Sequence, residues 1–531
     1  MLRQLALVVM FASACLTGGA AAQTFVYCSE GNPEAINPQL AITGTAMDAS
    51  RPMFNNLVEF APGTTDLRPA LAESWTVSED GKTYTFHLRP NVSFHSNESF
   101  VPTRPMNADD VVFSLTRQWK DDHPYHNVSN ARFDYFKDSG FGELLASVDA
   151  LDERTVRIVL TRPEAPFLAS LAMPFNAILS AEYADRMMQA GTPERLDTHP
   201  IGTGPFELAD FRKDIMVRYR AFPDYWRGRQ KIETLVFSIT PTASARVTKL
   251  KAGECHVSAF PGAEDIAAIK ADDGLRLYQL PGFNIGYLGI NTTRPPFDDV
   301  RVRRAINLAI DRQAIIDAVF PGTGTLASNP IPPTSWAFDQ SAEPVAHDPA
   351  AARALLAEAG HADGITTDLW YMPVSRPYNP NGRRIAEMIA DDLEELGIRL
   401  ELKTAEWNDY RITMQDGGVT LALYGWTGDN GDPDNFLGTL LGCTAARIGG
   451  NNIARWCNHE FDDLIREARE VSDRERRREL YDQAQAIFRR EVPWVPIAHS
   501  IFTVAARKSV KGFVIDPLGY HNFEGVSLSD D

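Results

Sequence analysis

The densest group of residues capable of chemistry is an acidic loop from Asp429 to Asn435, which reads Asp-Asn-Gly-Asp-Pro-Asp-Asn. Clustered carboxylate and amide oxygens are ligands that Ca²⁺ prefers. The spacing does not fit an EF-hand loop, because the glycine stands third instead of sixth and Leu440 occupies the position of the closing glutamate. The residue types alone therefore favour a turn-rich loop with Asx caps and a proline, and no metal site is expected.

The common catalytic patterns are absent from the sequence. It contains no GxSxG elbow, HExxH helix, Walker loop or GxGxxG fingerprint, and the pair His459-Glu460 lacks the second histidine at the required spacing. The 11 histidines are scattered, which is typical of solvated or singly hydrogen-bonded imidazoles. An enzyme needs an activated nucleophile near a base, and none is identifiable. We therefore expect no enzyme and no cofactor, with a secreted peptidase as the rival hypothesis.

The first residues have the pattern of an export signal. Basic Arg3 precedes an apolar run from Leu5 to Leu16 and the small-residue tripeptide Ala20–Ala22, after which cleavage is expected. The apolar run is shorter than the ~20 residues that a membrane-spanning helix needs. Lipidation of Cys15 is the alternative, but Ala12 stands three residues earlier, where lipoprotein signals usually have leucine. We expect a soluble periplasmic protein.

The net charge limits the kinds of partner that the protein binds, and the length of the chain predicts more than one domain. The chain has 52 basic and 70 acidic residues, a net charge of −18 that becomes 51 − 70 = −19 when the signal removes Arg3. Such a charge disfavours binding to nucleic acid or to anionic membranes. The 531 − 22 = 509 remaining residues exceed what one hydrophobic core holds, so two or more domains are expected.

An even set of four cysteines remains after the signal, which in an exported chain predicts two disulfides. Three pairings are possible. Cys443 and Cys457 are close in sequence and flank a segment rich in glycine and asparagine, so a local bridge there would stabilise the fold by ~3 kcal/mol. This would leave Cys28 with Cys255. The alternative, a zinc site of four cysteines, lacks a CxxC pair.

Strand and helix patterns alternate along the chain, which predicts α/β lobes. Tyr84, Phe86 and Leu88 alternate with polar residues in the way of a half-buried strand. In the second half, helix periodicity and caps precede strand-like segments, as in a βαβ unit. The predicted strands are Thr83–Arg89, Thr155–Leu160, Arg399–Lys403 and Gly418–Tyr424, and the predicted helices are Val302–Ile310, Pro349–Ala359 (capped by Asp348) and Gly382–Leu396 (ended by Gly397).

Five segments carry a family resemblance. They are Ala70–Trp75 continuing through Asp80–Phe86 to Arg89, Ile201–Phe206, the helix after Asp298–Arg301, Arg376–Pro380, and Gly425–Asn435. Together they resemble the periplasmic dipeptide-binding proteins of ABC transporters, in the peptide/nickel branch of the family 5 solute-binding proteins. The resemblance covers nearly the whole mature chain, and it supports the pairings Cys28–Cys255 and Cys443–Cys457.

The resemblance implies a two-lobed clam-shell of the type II periplasmic binding proteins, with a small inserted domain and a monomeric state. The implied segments are the signal peptide (1–22), a discontinuous lobe I (23–75, 205–283 and 502–531), the inserted domain (76–204) and lobe II (284–501).

Two charged residues would hold the ligand. By the resemblance, Asp429 binds the α-ammonium of a dipeptide and Arg376 its α-carboxylate. The ends of a dipeptide lie about 7 Å apart at roughly 3.5 Å per residue, so two fixed charges measure its length. The planar fork of Arg376 suits a carboxylate because it donates two parallel hydrogen bonds. The alternatives are a loop-capping carboxylate for Asp429 and a surface ion pair for Arg376.

Backbone groups would make binding tolerant of side chains. We expect the peptide backbone of the ligand to bind as an added strand near Gly44, Thr45 and the run Gly425, Trp426, Thr427 and Gly428. Trp426 would line a side-chain pocket, or else belong to the core beside the cleft.

The implied function is capture of dipeptides by lobe closure and their delivery to the permease of an ABC importer. The alternative keeps the fold but changes the cargo to haem, glutathione or longer peptides. Arg376 argues against longer peptides, whose carboxylate would lie beyond its reach.

Overall fold

The structure, a computed structural model, describes residues 23–41 and 43–529. The predicted export signal, with Cys15, lies outside these residues. The strands are β1 (Thr24–Ser29), β2 (Val58–Phe60), β3 (Leu67–Pro69), β4 (Ala72–Val77), β5 (Thr83–Leu88), β6 (Leu145–Asp152), β7 (Thr155–Leu160), β8 (Phe206–Arg212), β9 (Met216–Ala221), β10 (Thr234–Ile239), β11 (Val257–Ala259), β12 (Leu275–Pro281), β13 (Asn284–Ile290), β14 (Gly324–Leu326), β15 (Ile365–Trp370), β16 (Ile398–Lys403), β17 (Leu421–Thr427), β18 (Trp494–Arg507), β19 (Val510–Lys511) and β20 (Ser527–Leu528).

The α-helices alternate with these strands, which confirms the predicted α/β class. They are α1 (Gly44–Ser50), α2 (Ala108–Trp119), α3 (Asp134–Asp138), α4 (Phe141–Leu144), α5 (Phe167–Leu171), α6 (Ala181–Gln189), α7 (Arg195–Thr198), α8 (Ala243–Ala252), α9 (Ile266–Lys270), α10 (Val300–Ala309), α11 (Arg312–Val319), α12 (Pro349–Glu358), α13 (Gly382–Glu394), α14 (Trp407–Asp416), α15 (Asp434–Leu441), α16 (His459–Glu470) and α17 (Arg474–Glu491). Among the helices of the described residues, none is long and apolar enough to cross a membrane.

One long strand, β18, joins two groups of strands into a large mixed sheet. The strand order is β16-β15-β17-β13-β18-β11-β1-β10-β9-β8, and β12 and β14 also pair with β18. The first part of β18 pairs with β13, from Trp494 to Ala498, whereas its last part pairs with β11 and β12, from Ile501 to Arg507. Each group of strands therefore has its own part of β18 and can pack its own core.

The crossing between the two groups is held by a buried polar network. The N–H of Gly282 donates to the carbonyl of Ser500 at 2.9 Å. The side-chain oxygen of Asn284 accepts hydrogen bonds from the backbone N–H and the hydroxyl of Ser500, at 2.8 and 3.0 Å. His499 Nδ1 lies 2.8 Å from the Asn284 carbonyl. These bonds tie β18 to the connection between β12 and β13.

The predicted βαβ unit is present in the second group. Strands β15 and β16 are parallel neighbours, and α13 lies between them in sequence. Asp348 caps α12 by accepting the N–H of Ala351 at 2.9 Å, and Gly397 follows α13 with the positive φ of +81° that glycine permits. The other predicted elements end within two residues of the observed ones, but both bounds of the predicted strand Gly418–Tyr424 were wrong by three residues. The strand begins at Leu421 and continues to Thr427, because residues up to Thr427 pair with β13.

A separate antiparallel sheet has the order β4-β5-β7-β6 and contains both strands predicted in the first third of the chain. Its buried side chains, such as Phe86 and Ile158, join one core with those of β1 and β10, including Phe25 and Leu235. The strands of the second group are covered by other apolar clusters, one of which contains Tyr287, Tyr410 and Trp494. The molecule is thus a multi-core α/β protein with an extra small sheet.

Both predicted disulfides are present, Cys28–Cys255 and Cys443–Cys457. The first lies in a buried apolar cluster with Leu250 and links β1 to the segment before β11. The sulfurs of the second lie near His459, the only three-residue grouping of potential metal ligands in the described part of the chain. Because both sulfurs are bonded to each other, they do not offer thiolates to a metal.

Candidate ligand-binding site

The acidic loop begins where β17 ends, and Asn435 fixes its shape. The side-chain oxygen of Asn435 accepts the backbone N–H of Asp429 at 3.0 Å and the indole N–H of Trp426 at 2.8 Å. Asn435 itself lies in the first turn of α15. A helix terminus therefore holds both the strand end and the first aspartate of the loop.

The three aspartates of the acidic loop differ in their ion pairing. Asp432 pairs with Arg477 at 2.8 Å and Asp434 pairs with Arg469 at 2.7 Å. Among the described residues, no cation lies within ion-pairing distance of the Asp429 carboxylate, whose Oδ2 has only the amide nitrogen of Asn435 at 3.5 Å. Burial raises the pKa of Asp429 to about 7, because a desolvated carboxylate without a cation is poorly stabilised. This carboxylate is suited to bind a cationic group from outside the chain.

Arg376 lies in a tight loop on the same side of the second group of strands. Its backbone exchanges two hydrogen bonds with Asn379, at 3.0 and 2.9 Å. The exposed guanidinium lies over the ring of Trp407, with 5.2 Å from Cζ to the ring centre. In the described ranges it has no ion-pair partner. Its Nη1 donates to the Ser375 carbonyl at 3.4 Å and the guanidinium also interacts with the side chain of Tyr378, so the remaining N–H donors of the fork are available to a ligand.

Tyr378 brings the Arg376 loop to the strand that leads to Asp429. A Cβ placed at Gly425 would lie 2.2 Å from the ring of Tyr378, and one at Gly286 would lie 2.2 Å from the Tyr378 carbonyl oxygen. Gly286 and Gly425 are directly paired between β13 and β17. Two glycines therefore allow the close approach of a loop that any larger residue would displace.

The end of β17 has an open side. On one side, Leu421–Thr427 pair with β13 along the whole strand. On the other side, within the described chain, strand pairing reaches only Leu421 and Ala422, which face β15. Gly425, Trp426 and Thr427 therefore present a backbone edge without a strand partner, while the N–H of Gly428 donates to the Phe283 carbonyl at 2.7 Å.

Gly44 and Thr45 lie in the first turn of α1, which Thr43 caps by accepting the N–H of Ala46. Gly44 is exposed, with open space where a Cβ would lie, and the Thr45 hydroxyl donates to Glu30 at 2.8 Å. Neither residue forms a hydrogen bond to Asp429 or Arg376 in the described structure.

The connection from α1 to the acidic loop runs through Tyr520. Its ring packs with Ala46 and Met47 of α1, and its hydroxyl donates to the backbone carbonyl of Asp429 at 3.4 Å. The guanidinium of Arg51, directly after α1, lies over the same ring at 3.9 Å. Tyr520 therefore links the helix that contains Gly44 and Thr45 to the unpaired aspartate.

Sequence reasoning missed several residues around the two charges. Arg411 is a second exposed guanidinium near Arg376. Desolvation raises the pKa of Tyr378 and Tyr424, and the positive charges of Arg376 and Arg411 oppose this rise. It has no ion-pair partner among the described residues. No motif marked Arg411, because it lies in an ordinary stretch of α14. Tyr520 was not identified, since its role comes from a contact across the fold, and Asn435 was identified only as a member of the acidic loop and not as the residue that bonds Asp429 and Trp426.

Comparison with known proteins identifies the family. The profile of the bacterial extracellular solute-binding proteins, family 5 Middle, matches residues 66–447. The chain is 53% identical to the dipeptide-binding protein of Escherichia coli (strain K12) over 508 residues, which cover 96% of this chain and 95% of that protein. It is 48% identical to heme-binding protein A of Haemophilus influenzae over 506 residues, covering 95% of this chain and 92% of the relative.

A solved structure agrees with these relatives. The dipeptide binding protein from Pseudoalteromonas sp. SM9913, in complex with Met-Leu, has a TM-score of 0.83 and 38% identity, covering 96% of this chain and 100% of that one. The similarity therefore extends over both groups of strands and the small sheet. The chain belongs to the bacterial extracellular solute-binding proteins of family 5.

Proposed function

We propose that this protein captures dipeptides between its two lobes and delivers them to an ABC importer. The observation that carries the proposal is the carboxylate of Asp429, which is desolvated and has no cationic partner in the described chain while Asp432 and Asp434 beside it are both paired. The α-ammonium of a peptide supplies the missing cation. Because the family consists of solute-binding proteins, the chain is a binding protein and not an enzyme, and the peptidase hypothesis is not retained.

Arg376 binds the other end of the ligand in this proposal. Its guanidinium is held over Trp407 without a carboxylate partner, so it donates its N–H pair to the α-carboxylate of the peptide. Two supports favour a dipeptide: the opposed charges both lie on elements next to β17, and the relatives include named dipeptide-binding proteins. Arg411, close to the same tyrosines, adds positive charge at the carboxylate end.

The open edge of β17 accounts for tolerance of different side chains. Gly425, Trp426 and Thr427 offer backbone groups to which the peptide adds as a short strand. Gly44 and Thr45 of α1, the helix that Tyr520 links to the acidic loop, contribute further contacts in this proposal. Main-chain hydrogen bonds do not distinguish side chains. The indole of Trp426, oriented by its bond to Asn435, lines one side-chain pocket.

The remaining assignments follow from the family and belong to the same proposal. The protein is a periplasmic monomer, exported by a cleaved signal at residues 1–22, and it docks on permease subunits of the inner membrane. Lobe I comprises 23–75, 205–283 and 502–531, the inserted domain comprises 76–204, and lobe II comprises 284–501. The crossing at Gly282 and Ser500 then serves as the hinge of closure.

Isothermal titration of the ligand-stripped mature protein tests the proposal. The ligands are Ala-Ala, N-acetyl-Ala-Ala, Ala-Ala-Ala and haem. We expect tight binding of Ala-Ala and its loss on acetylation, because the acetyl group removes the ammonium that Asp429 binds. Binding of the tripeptide with equal or higher affinity would contradict the length measurement by Asp429 and Arg376.

Haem is the second candidate cargo, because one close relative is named heme-binding protein A. Binding of haem without binding of Ala-Ala would replace the dipeptide proposal. If both ligands bind, the Asp429→Asn variant separates them, since only the dipeptide depends on a carboxylate for its ammonium. Glutathione in the same titration series tests the remaining alternative.

A further inference from the structure

A cavity lies outside the range 284–501 that is assigned above to lobe II. It has a volume of about 210 Å³ and is enclosed by the segment after α1, by residues 172–177 and by the C-terminal segment 512–524. None of its described lining residues comes from 284–501, the range that contains both Asp429 and Arg376. Neither proposed peptide anchor lines the cavity, which adjoins the acidic loop only through Tyr520, whose hydroxyl donates to the Asp429 carbonyl.

One lining residue of the cavity, Arg51, is a cation that has no ion-pair partner among the described residues. The guanidinium of Arg51 is stacked on Tyr520, and its Nε and Nη2 atoms are buried without a hydrogen-bond partner among the described residues. Buried donors are normally satisfied, and an unmade hydrogen bond of a charged group is costly. No carboxylate of the described chain lies within 4 Å of this guanidinium. Arg51 is thus prepared to bind an anion, and a carboxylate suits its planar fork.

A second lining residue, Asp516, is an acid that has no ion-pair partner among the described residues. Asp516 accepts the backbone N–H of Leu518 at 2.8 Å through Oδ1, while Oδ2 accepts no hydrogen bond from the described residues. Burial raises the pKa of Asp516 to about 6, even though the positive charge of Arg51 lowers it. The other two acids of the cavity are already neutralised, Glu59 by Arg68 and Arg227, and Glu524 by Arg227.

We propose that this cavity is a second ligand site that binds a free α-amino acid, with the carboxylate of the ligand on Arg51 and its ammonium on Asp516. Both side chains line the cavity and, among the described residues, they do not form an ion pair with each other, so a small zwitterion can bind between them. An α-amino acid bears both charges on one carbon, whereas a dipeptide separates them by about 7 Å at roughly 3.5 Å per residue.

Volume and lining support the same ligand class. The cavity is smaller than the ~300–1,000 Å³ typical of drug-sized ligands, and it is far larger than one water molecule requires. Phe54, Phe60 and Val514 line it beside the charged groups. These walls favour an apolar side chain, such as that of leucine.

Titration of the mature protein with L-leucine in the presence of saturating Ala-Ala tests the proposal. We expect one further site per chain. Leucine methyl ester and 4-methylpentanoate should not bind, because the first lacks the carboxylate and the second lacks the ammonium. The same titration of the Asp429→Asn variant reports on this cavity independently of the dipeptide proposal, since the variant leaves Arg51 and Asp516 unchanged.

Variants locate the site. Asp516→Asn retains the oxygen that accepts the Leu518 N–H, so it should fold normally and lose at least tenfold in leucine affinity, as should Arg51→Gln. The exposed Asp122→Asn, a matched loss of one negative charge, should bind leucine like the parent protein. Absence of leucine binding at millimolar concentration would overturn the proposal. Equal affinity in parent, Asp516→Asn and Arg51→Gln proteins would overturn it as well, because leucine would then bind elsewhere.

Discussion

Asp429 carries the strongest prediction at the residue scale, because its desolvated carboxylate has no cationic partner in the described chain and only the amide of Asn435 beside it. Asp429→Asn keeps the shape of the side chain and removes its charge. It should leave the ammonium of the dipeptide desolvated and unpaired, at roughly 3–5 kcal/mol. At 1.4 kcal/mol per tenfold, the Kd for Ala-Ala should rise by about 100- to 4,000-fold.

Titration calorimetry measures this change, with the exposed Asp391→Asn of α13 as the control for a lost negative charge. An Asp429→Asn protein that binds Ala-Ala within threefold of the parent would refute the ammonium assignment.

The raised pKa of Asp429 predicts a pH dependence of binding. The free protein holds this carboxyl mostly protonated below its pKa of about 7, whereas the bound ammonium requires the carboxylate. Binding below pH 7 must therefore release a proton, and affinity should fall by up to about tenfold per pH unit from pH 7 to pH 5. Above pH ~8 affinity should fall again, because the peptide ammonium itself loses its proton.

Titrations in buffers of different ionisation enthalpy count the released proton directly. The acidic limb should disappear in Asp429→Asn, whose amide does not titrate. An unchanged acidic limb in that variant would assign the pH dependence to another group.

The two charges were reached from the sequence only through family resemblance. Asp429 and Arg376 are far apart in the chain, and the Arg376 loop reaches the strand that leads to Asp429 because Tyr378 packs on Gly425. The residue types alone predicted a capped turn at Asp429. This is confirmed in part, because the side-chain oxygen of Asn435 accepts the backbone N–H of Asp429. The sequence did not reveal that Asp429 lacks an ion-pair partner. This depends on the tertiary contacts by which Arg469 pairs with Asp434 and Arg477 pairs with Asp432.

At the scale of elements, the contact between β17 and the Arg376 loop predicts a sensitive glycine. In Gly425→Ala, the new Cβ would lie 2.2 Å from the Tyr378 ring and 2.6 Å from the Ile285 carbonyl, so the loop must move away. We expect dipeptide affinity to fall by at least tenfold because Arg376 moves with Tyr378.

Gly418→Ala is the matched control, since a Cβ there meets nothing within 4 Å. Calorimetry gives the affinities, and circular dichroism verifies the fold. Equal affinity of the two variants would mean that the position of the Arg376 loop does not matter for binding.

The disulfide between Cys443 and Cys457 closes a local loop between α15 and α16. Replacing both cysteines by serine should lower the free energy of unfolding by ~3 kcal/mol, because the unfolded chain regains the entropy of an open loop. Urea denaturation under oxidising conditions measures the change, and dipeptide affinity should remain that of the parent. A loss below ~1 kcal/mol would mean that the bridge does not constrain the unfolded chain.

Local patterns predicted the elements well where caps and alternation agreed. Thr155–Leu160 is a strand with the predicted bounds, and Asp348 caps the helix that starts at Pro349. The boundary of β17 failed for a tertiary reason: Gly425 looks like a strand end, but Gly286 pairs with it and the strand continues to Thr427. Pairing across the sheet is not visible in a local pattern.

The same limit applies to the whole molecule. The α/β class followed from alternating patterns, but the role of β18 did not, because nothing in Trp494–Arg507 marks where it changes partners. The division into 23–75, 76–204, 205–283, 284–501 and 502–531 came from resemblance and remains a proposal. The polar network of Asn284 and Ser500 lies at the crossing where that division puts a boundary.

Contacts of the acidic loop with other parts of the chain lead to the prediction for the whole molecule. Gly431 packs against Thr65, and the side-chain amide of Asn430 donates to the Ser170 hydroxyl at 3.1 Å. With the bond from Tyr520 to Asp429, the loop touches both proposed lobe I and the inserted domain. In the proposed division these contacts join lobe II to lobe I and the inserted domain, so we expect the free protein to break them and open before it admits a peptide.

Small-angle X-ray scattering should therefore give a smaller radius of gyration with Ala-Ala than without it. At a ligand concentration of 100 times Kd, the dipeptide should also raise the free energy of unfolding by ~2.7 kcal/mol. Asp429→Asn at the same peptide concentration should be stabilised by at most ~0.4 kcal/mol and show a correspondingly smaller change in radius of gyration, because its Kd is at least about 100-fold higher. Stabilisation by Ala-Ala with an unchanged radius of gyration would mean that the lobes are already closed in the free protein, and the hinge at Gly282 and Ser500 would then have no part in capture.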